Sequence, residues 1–120
     1  MLISASTYGQ SKKQRQQEVY DKIVKANLQH PKIVLQQAIV ESGANFKSPA
    51  ARNKNNILGI MKGKRTRHFS SFDECIEFYK NKVQSRYRGG NYYKFLSRIG
   101  YAEDARYIPK LKNTELFILE

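Results

Sequence analysis

The sequence predicts a mainly α-helical domain with at most a short β-hairpin. Apolar residues recur at three- and four-residue intervals in two segments, 11–28 and 72–83, which is typical of amphipathic helices. The segment that follows Pro31 is apolar nearly all round, which indicates a buried helix. With 120 residues, of which 40% are hydrophobic, the chain is expected to fold as one domain around a modest core.

The first two helices are predicted mainly from their ends. The first is expected within residues 11–28. Pro31 suits the first position of the second helix, because the N–H that proline lacks would have no helical partner there. Gly43 is a natural stop for that helix. Residues 1–10 are expected to form a flexible N-terminal segment, which leaves residues 11–120 as the single domain.

A loop and a short strand pair are predicted in the middle of the chain. Residues 44–56 are expected to form a polar loop, and residues 57–69 a strand pair with its turn near residues 61–64. Ser71 and Glu74 then form a capping-box pattern, which predicts the start of a third helix.

Two shorter helices are expected near the end of the chain. A fourth helix is expected over residues 92–99, ending at Gly100. A last helical segment is predicted from about Glu103, with an interruption or a restart at Pro109.

The charge balance points to an anionic partner. The formal charge of +12 comes from 22 Lys and Arg against 10 Asp and Glu. Such a surface attracts polyanions, and both nucleic acid and the bacterial cell wall are candidates. No apolar run is long enough to span a bilayer. The N-terminus lacks the features of a secretory signal, so we expect delivery by a phage particle, by lysis or by specialised secretion, unless a signal has been removed.

The cysteine and histidine content argues against a metal or disulfide framework. The single Cys75 excludes an internal disulfide, and its helical spacing predicts a small buried residue. His30 and His68 stand at spacings unrelated to a zinc site. We expect no metal or organic cofactor.

Glu41 is the candidate functional residue that the pattern singles out. It lies at the C-terminal end of the apolar helix, at the edge of the predicted buried surface. Burial and the negative end of the helix dipole both raise the pKa of a carboxyl. A carboxyl that is protonated near neutral pH can serve as a general acid for glycoside cleavage. The alternative is an ordinary Glu that faces water at a helix end.

Four sequence elements, in order over residues 33–111, resemble those of one enzyme family. They read LQQAIVESG from Leu35, NNILGI from Asn55, FSSFDECIEFY from Phe69 and YAEDARYIPKL from Tyr101. Their pattern is similar to the glucosaminidase domain of glycoside hydrolase family 73. That resemblance implies a lysozyme-like helical fold and cleavage of peptidoglycan, at the β-1,4 bond from N-acetylglucosamine to N-acetylmuramic acid.

The resemblance also implies roles for six residues. Glu41 would be the proton donor, and Tyr101 would line the cleft and stabilise developing positive charge through its oxygen or its ring. The residues implied as substrate contacts are Asn56, Gly59, Tyr107 and Ser42. A turn-forming role for Asn56 and core packing for either tyrosine are the alternatives.

The chain departs from the family in the predicted hairpin. The family usually has a longer hairpin there, often with a second carboxylate, whereas residues 60–69 contain no Asp or Glu. The nearest carboxylates in the motifs are Asp73, Glu74, Glu103 and Asp104. Glu74 and Asp104 are better explained as helix-start residues. With one acid, the 2-acetamido group of the sugar can act as nucleophile while Glu41 donates the proton. An anhydro-forming transglycosylase and a catalytically inactive wall-binding or structural derivative stay open.

The short hairpin would leave one side of the cleft open. The basic residues expected to line its rim are Lys62, Lys64, Arg65 and Arg67, a charge that suits the carboxylates of peptidoglycan. Solvated surface charge is the alternative interpretation.

A basic helical nucleic-acid-binding domain is the rival prediction of a different class. It is less favoured, because the sequence has no reader motif and this function gives Glu41 no role. We therefore expect peptidoglycan glycan strands as partners, at the periplasmic or extracellular cell wall.

Overall fold

The computed structural model describes residues 11–119, and the predicted flexible segment 1–10 lies outside them. The described part is mainly α-helical, as predicted. Its helices are α1 (Lys12–Lys25), α2 (Pro31–Ser42), α3 (Pro49–Lys54), α4 (Phe72–Lys82), α5 (Tyr92–Arg98) and α6 (Tyr107–Lys112), with a 3-10 turn at Gln84–Arg86. Strands β1 (Met61–Lys62) and β2 (Arg65–Thr66) form the only sheet in this part of the chain.

The first helix begins at a complete capping box. The Ser11 hydroxyl accepts a hydrogen bond from the Gln14 N–H at 3.2 Å, and the Gln14 side chain accepts one from the Ser11 N–H at 2.9 Å. Such a cap stabilises a helix by about 1 kcal/mol. Buried Gln16 then links α1 to the rest of the fold, because it donates to the Ala44 carbonyl and accepts from the Phe117 N–H.

Helix α2 is the central element of the core. Val34, Leu35 and Ala38 are fully buried, and the helix packs against α1, α3 and α6. It begins at Pro31 and ends at Gly43, as predicted. Because three helices pack against α2, it is held from several directions.

Two helical predictions were wrong in their extent. The expected loop contains α3, whose first turn is capped by the Ser48 hydroxyl, which accepts from the Ala51 N–H at 3.2 Å. The last helix begins at Tyr107 rather than near Glu103. It continues through Pro109 without a break, because Pro109 is its third residue, where an N–H would have no helical partner.

The hairpin is as short as predicted. Met61 pairs with Thr66 and Lys62 with Arg65, antiparallel, around a turn that includes Gly63 at φ +63°. Helix α4 follows, and its cap differs slightly from the predicted box. The Ser71 hydroxyl accepts from the Glu74 N–H, as expected, but the Glu74 carboxylate accepts from the N–H of Ser70.

Cys75 is fully buried on α4, as predicted, and burial raises the pKa of its thiol to about 11. Among residues 11–119, no helix combines the length and the apolar character needed to cross a membrane.

Candidate active site

Glu41 opens into a cleft of about 380 Å³ between α2, α3 and β2. Among the described residues that line the cleft, Glu41 is the one acid. The lining consists of Glu41, Ser48, Pro49, Ala50, Asn53, Lys54 and Thr66. A larger groove of about 540 Å³ lies between α1 and residues 116–119, but the residues that line it include no acid or histidine.

The backbone of Gly59 lies directly against the Glu41 carboxyl. A Cβ built on Gly59 would lie 2.5 Å from Glu41 Oε1 and 2.7 Å from Cδ, closer than real Cβ contacts. Gly59 also has φ +67°, in the left-handed region that favours glycine. Glycine is therefore needed at position 59 for two independent reasons: the positive φ, and the lack of space for a Cβ beside the Glu41 carboxyl.

The surroundings of Glu41 raise the pKa of its carboxyl. Burial has the largest effect, because it disfavours the ionised form, and a hydrogen bond from the Tyr107 hydroxyl opposes it by stabilising the carboxylate. Glu41 also lies in the last turn of α2, where the helix dipole disfavours negative charge. The carboxyl thus retains its proton to higher pH than a free Glu. After proton transfer, the Tyr107 hydroxyl can donate to the carboxylate that remains.

Asn56 holds the loop that carries Gly59. Its side-chain nitrogen donates to the Ile60 carbonyl at 2.7 Å and to the Arg67 carbonyl at 2.8 Å, and its oxygen accepts from the Ile60 N–H at 3.0 Å. All the hydrogen-bonding groups of this buried amide therefore have partners inside the protein. Asn56 closes the turn before the hairpin and joins it to the segment that follows β2.

Ser42 has a similar internal position. Its hydroxyl is buried and donates to the Ile57 carbonyl at 2.9 Å, and its own carbonyl accepts from the Ser48 N–H. It fixes α2 to the loops on both sides of Glu41.

Tyr101 and Tyr107 lie on the buried side of Glu41 rather than in the lining of the cleft. Tyr107 accepts a hydrogen bond from Gln37 Nε2 at 3.0 Å, and its hydroxyl interacts with the Glu41 carboxyl, one turn after Gln37 on α2. The Tyr101 hydroxyl donates to the carbonyl of Leu58, next to Gly59. The two rings stack with centroids 6.0 Å apart and planes 17° apart. Burial raises the pKa of both hydroxyls, so both are neutral hydrogen-bonding groups near neutral pH.

Gln37 is a residue of the site that the sequence interpretation did not single out. It is fully buried, one turn before Glu41 on the same helix. Its Oε1 accepts from the Tyr79 hydroxyl. A buried polar residue in a helix that is otherwise apolar was the available signal.

The other motif carboxylates have local roles. Asp73 pairs with Lys22 at 3.1 Å, and Glu74 caps the start of α4. Asp104 accepts from the N–H and the guanidinium of Arg106, which lower the pKa of its carboxyl to about 2. Glu103 is exposed. Neither of the two effects on the Glu41 pKa comes from a second carboxylate.

Of the four basic residues predicted for the rim, three are exposed and one is packed against a ring. Lys62, Lys64 and Arg65 are exposed on the hairpin, and within residues 11–119 no acidic side chain pairs with them. Arg67 is instead packed, with its guanidinium 4.4 Å from the centroid of the Phe78 ring. Among the described residues that line the cleft itself, Lys54 is the basic one, and its Nζ donates to the Thr66 carbonyl.

The described part of the chain contains no group of three His, Cys, Asp or Glu side chains arranged to hold a metal ion.

Comparison with known proteins adds one match. The sequence model of the glucosaminidase family, described as mannosyl-glycoprotein endo-beta-N-acetylglucosaminidase, matches residues 6–115. No curated protein and no solved structure matches the chain. The matched region includes the cleft and every helix described above.

Proposed function

The chain belongs to the glucosaminidase family, glycoside hydrolase family 73, whose members act on peptidoglycan, and we propose that it cleaves the glycan strand with Glu41 as the general acid. The observation that supports this role is the contact between the Glu41 carboxyl and Gly59 at the edge of the cleft. A partly buried acid that opens into a cleft can deliver a proton to a glycosidic oxygen. The action at the bacterial cell wall follows from the substrate.

The first step needs one carboxyl and one group of the substrate. Glu41 donates its proton to the glycosidic oxygen as the bond from that oxygen to the anomeric carbon breaks. The oxygen of the 2-acetamido group of N-acetylglucosamine forms a bond to the same carbon, which gives a cyclic oxazolinium intermediate. This route is favoured because the hairpin has no acid and because Asp73, Glu74 and Asp104 have other local partners.

The second step uses the carboxylate that the first step leaves. Glu41 takes a proton from a water molecule, whose oxygen attacks the anomeric carbon and breaks its bond to the acetamido oxygen. The product is a reducing N-acetylglucosamine with retained configuration. The Tyr107 hydroxyl stabilises the charged form of Glu41 between the two steps.

Gly59 and Tyr101 act on this chemistry by positioning the acid. The Leu58–Gly59 backbone forms the wall against which the Glu41 carboxyl lies, and the Tyr101 hydroxyl holds the Leu58 carbonyl. Reacting groups placed in this way need little reorganisation in the transition state. Asn56 and Ser42 contribute in the same sense, through the loop rather than through the sugar.

The function is tested by digesting purified peptidoglycan with the parent protein and with Glu41→Gln. The substitution keeps the shape of the side chain and removes its titrating proton, so we expect at least about a 100-fold loss of cleavage. Mass spectrometry of the fragments identifies the bond, and reducing N-acetylglucosamine ends made by the parent alone are the expected result. Equal cleavage by both proteins would rule out Glu41 as the acid.

The stereochemistry of the first product tests the substrate-assisted route. Proton NMR recorded early in the digestion of a soluble glycan should show the β-anomer, because two displacements at the anomeric carbon retain configuration. An α-anomer would require direct attack by water and a second protein carboxylate. Anhydro ends instead of reducing ends would show that no water enters the second step.

A further inference from the structure

A line of buried polar side chains crosses the core and ends on Glu41. We call Gln84, Tyr92, Tyr79, Gln37 and Tyr107 the polar chain; each has 6% or less of its surface exposed. Consecutive members are hydrogen-bonded, and the last contact is from Tyr107 to Glu41. The polar chain joins the 3-10 turn, α5, α4, α2 and α6 through one set of side chains.

The backbone of Gln29 fixes the direction of the polar chain at its far end. The Gln29 N–H donates to Gln84 Oε1 at 2.8 Å, and Gln84 Nε2 donates to the Gln29 carbonyl at 2.7 Å. The backbone N–H and carbonyl of this one residue thus determine which end of the Gln84 amide is nitrogen. The second hydrogen on that nitrogen points to the Tyr92 hydroxyl at 3.0 Å.

Each further proton then has one available acceptor. Tyr79 has a single proton, and its contact with Gln37 Oε1 uses it, so in the 2.7 Å contact between the hydroxyls Tyr92 is the donor. This arrangement places the nitrogen of Gln37 toward Tyr107, to which it donates at 3.0 Å. With the reverse orientation of the Gln37 amide, Tyr79 would accept from Gln37 and donate to Tyr92. The Tyr92 proton would then have no acceptor in the polar chain, because Gln84 Nε2 is itself a donor.

The Tyr107 hydroxyl therefore accepts from Gln37, which leaves its own proton for the Glu41 carboxyl on the next turn of α2. We propose that the polar chain is a positioning device for the acid. By holding Tyr107 as a donor, it keeps the proton of Glu41 on the carboxyl oxygen that Tyr107 does not occupy. A free tyrosine could accept that proton as readily as donate its own. The catalytic role of the polar chain rests on the proposed function, whereas its hydrogen-bond arrangement does not depend on that function.

Apart from Tyr107, the groups that face Glu41 are hydrogen-bonded elsewhere or do not titrate. The polar chain is therefore the part of the surroundings through which a variant can change the Glu41 pKa. Facing it are Tyr107 from α6, Tyr101 from the preceding loop, and Lys54 from α3 across the cleft. The loop before the hairpin contributes the Gly59 backbone, and β2 contributes Thr66, neither of which titrates. Tyr101 is committed to the Leu58 carbonyl, and Lys54 donates to the Thr66 carbonyl.

Tyr79→Phe is the variant that tests the device, because it removes the donor that orients Gln37. The Gln37 amide can then turn its oxygen toward Tyr107, whose proton leaves Glu41. The carboxyl can now donate to Tyr107, which favours its protonated form. We expect the pKa of Glu41, followed by NMR of its side-chain carbon, to rise by about half to one pH unit.

Tyr92→Phe is the second variant, should Tyr79→Phe fail to fold. It removes one link farther from the acid, so we expect a smaller rise in the same direction. Tyr93→Phe is the matched control, since this neighbour on α5 donates to Gln36 outside the polar chain and should leave the Glu41 titration unchanged. A Glu41 titration at the parent value in Tyr79→Phe or, if that variant does not fold, in Tyr92→Phe overturns the proposal.

The pH dependence of glycan cleavage provides the functional readout. The alkaline limb of the rate profile should move upward with the Glu41 pKa in Tyr79→Phe, whereas a purely structural effect would lower the rate without moving the limb. If the parent protein cleaves no glycan, the proposed function fails. The NMR titration still decides whether the polar chain controls the acid.

Discussion

The two sides of the cleft around Glu41 differ in how their polar groups are satisfied. On the inner side, formed by α2, the loop at residues 55–60 and α6, the polar side chains are buried and bonded to one another or to the backbone. On the outer side, formed by α3 and the hairpin at residues 61–66, the cations Lys62, Lys64 and Arg65 are exposed. The inner side is held in one arrangement by its hydrogen bonds, and the outer side mainly contributes charge.

This difference teaches how a small domain divides two tasks. Proton transfer requires groups held within fractions of an ångström, which a buried hydrogen-bonded network provides. Attraction of an anionic polymer acts over the Debye length, about 8 Å at physiological salt, and needs no fixed geometry. Changes on the inner side should therefore affect the rate and the stability strongly, and changes on the outer side should affect capture weakly.

Gly59→Ala should have the largest effect, because it alters the inner side where the backbone meets the acid. The new Cβ would lie 2.5 Å from Glu41 Oε1, so the carboxyl must move. Displacement of a reacting group by about 1 Å can cost about 100-fold in rate, and we expect a loss of that size in kcat/KM for glycan cleavage.

Gly63→Ala is the matched control for that variant. Gly63 has φ +63°, nearly the same as Gly59, but its Cβ would meet nothing within 4 Å. Both variants carry similar backbone strain, and only Gly59→Ala displaces the acid. Equal losses of activity in the two would show that strain, and not the close approach, explains the need for glycine.

Asn56→Ala should have the next largest effect, on stability. It leaves the Ile60 N–H and the carbonyls of Ile60 and Arg67 without their side-chain partner in a buried site. We expect the free energy of unfolding in urea to fall by about 2–4 kcal/mol. Asn53→Ala, an exposed residue of the cleft lining, should change it by less than about 0.5 kcal/mol. Similar losses in both would mean that the Asn56 network adds no stability.

Tyr101→Phe should have an intermediate effect. It removes the hydrogen bond to the Leu58 carbonyl but keeps the ring stacked on Tyr107. The loss of one such bond corresponds to about a fivefold decrease in kcat. A loss as large as that of Glu41→Gln would instead place the Tyr101 oxygen in the reaction itself, and a rate equal to the parent's would leave only a role for the ring.

Glu41→Gln also makes a prediction about stability. The folded-state pKa of Glu41 lies above its unfolded value, so the parent loses stability as the pH rises from the unfolded pKa through the folded one. The glutamine variant has no such loss. The midpoint of thermal unfolding of the variant should therefore rise relative to that of the parent as the pH rises through this window. A stability difference that does not change with pH would mean that burial has no net effect on the pKa of Glu41 in the folded protein.

Much of the fold could be predicted from the sequence, because the long helices have strong local signals. Proline at position 31 and glycine at position 43 bracket α2, and Ser11 begins α1. Helix α3 was missed because it has six residues and one buried side chain, Ala51, so no periodicity can develop. The start of α6 was placed too early because the acids at 103 and 104 resemble a first turn, whereas Asp104 instead binds Arg106.

The candidate site was only partly accessible from the sequence. Glu41 could be found because an acid at the end of an apolar helix is unusual. The positions of Tyr101 and Tyr107 behind it depend on how α6 packs on α2, which no local pattern encodes. The polar chain is a property of five segments brought together. Its glutamines and tyrosines look like ordinary helix residues until their partners are known.

The smallest effect is expected on the outer side of the cleft. A triple variant in which Lys62, Lys64 and Arg65 become serine should weaken binding to peptidoglycan by about two- to fivefold at low salt, since exposed charge pairs are weak. The difference should disappear at high salt, because screening removes attraction between exposed charges. Pelleting assays with purified wall at two ionic strengths measure both quantities.

The control is a second triple variant in which Lys25, Lys82 and Lys94 become serine. These residues are exposed on α1, α4 and α5, and the same three positive charges are removed away from the cleft. Equal weakening in both variants would mean that wall binding depends on the net charge of +12 and not on its location. A change in the cleavage of a short uncharged glycan by the hairpin variant would mean that the outer side takes part in positioning as well. The division of tasks between the two sides of the cleft would then fail.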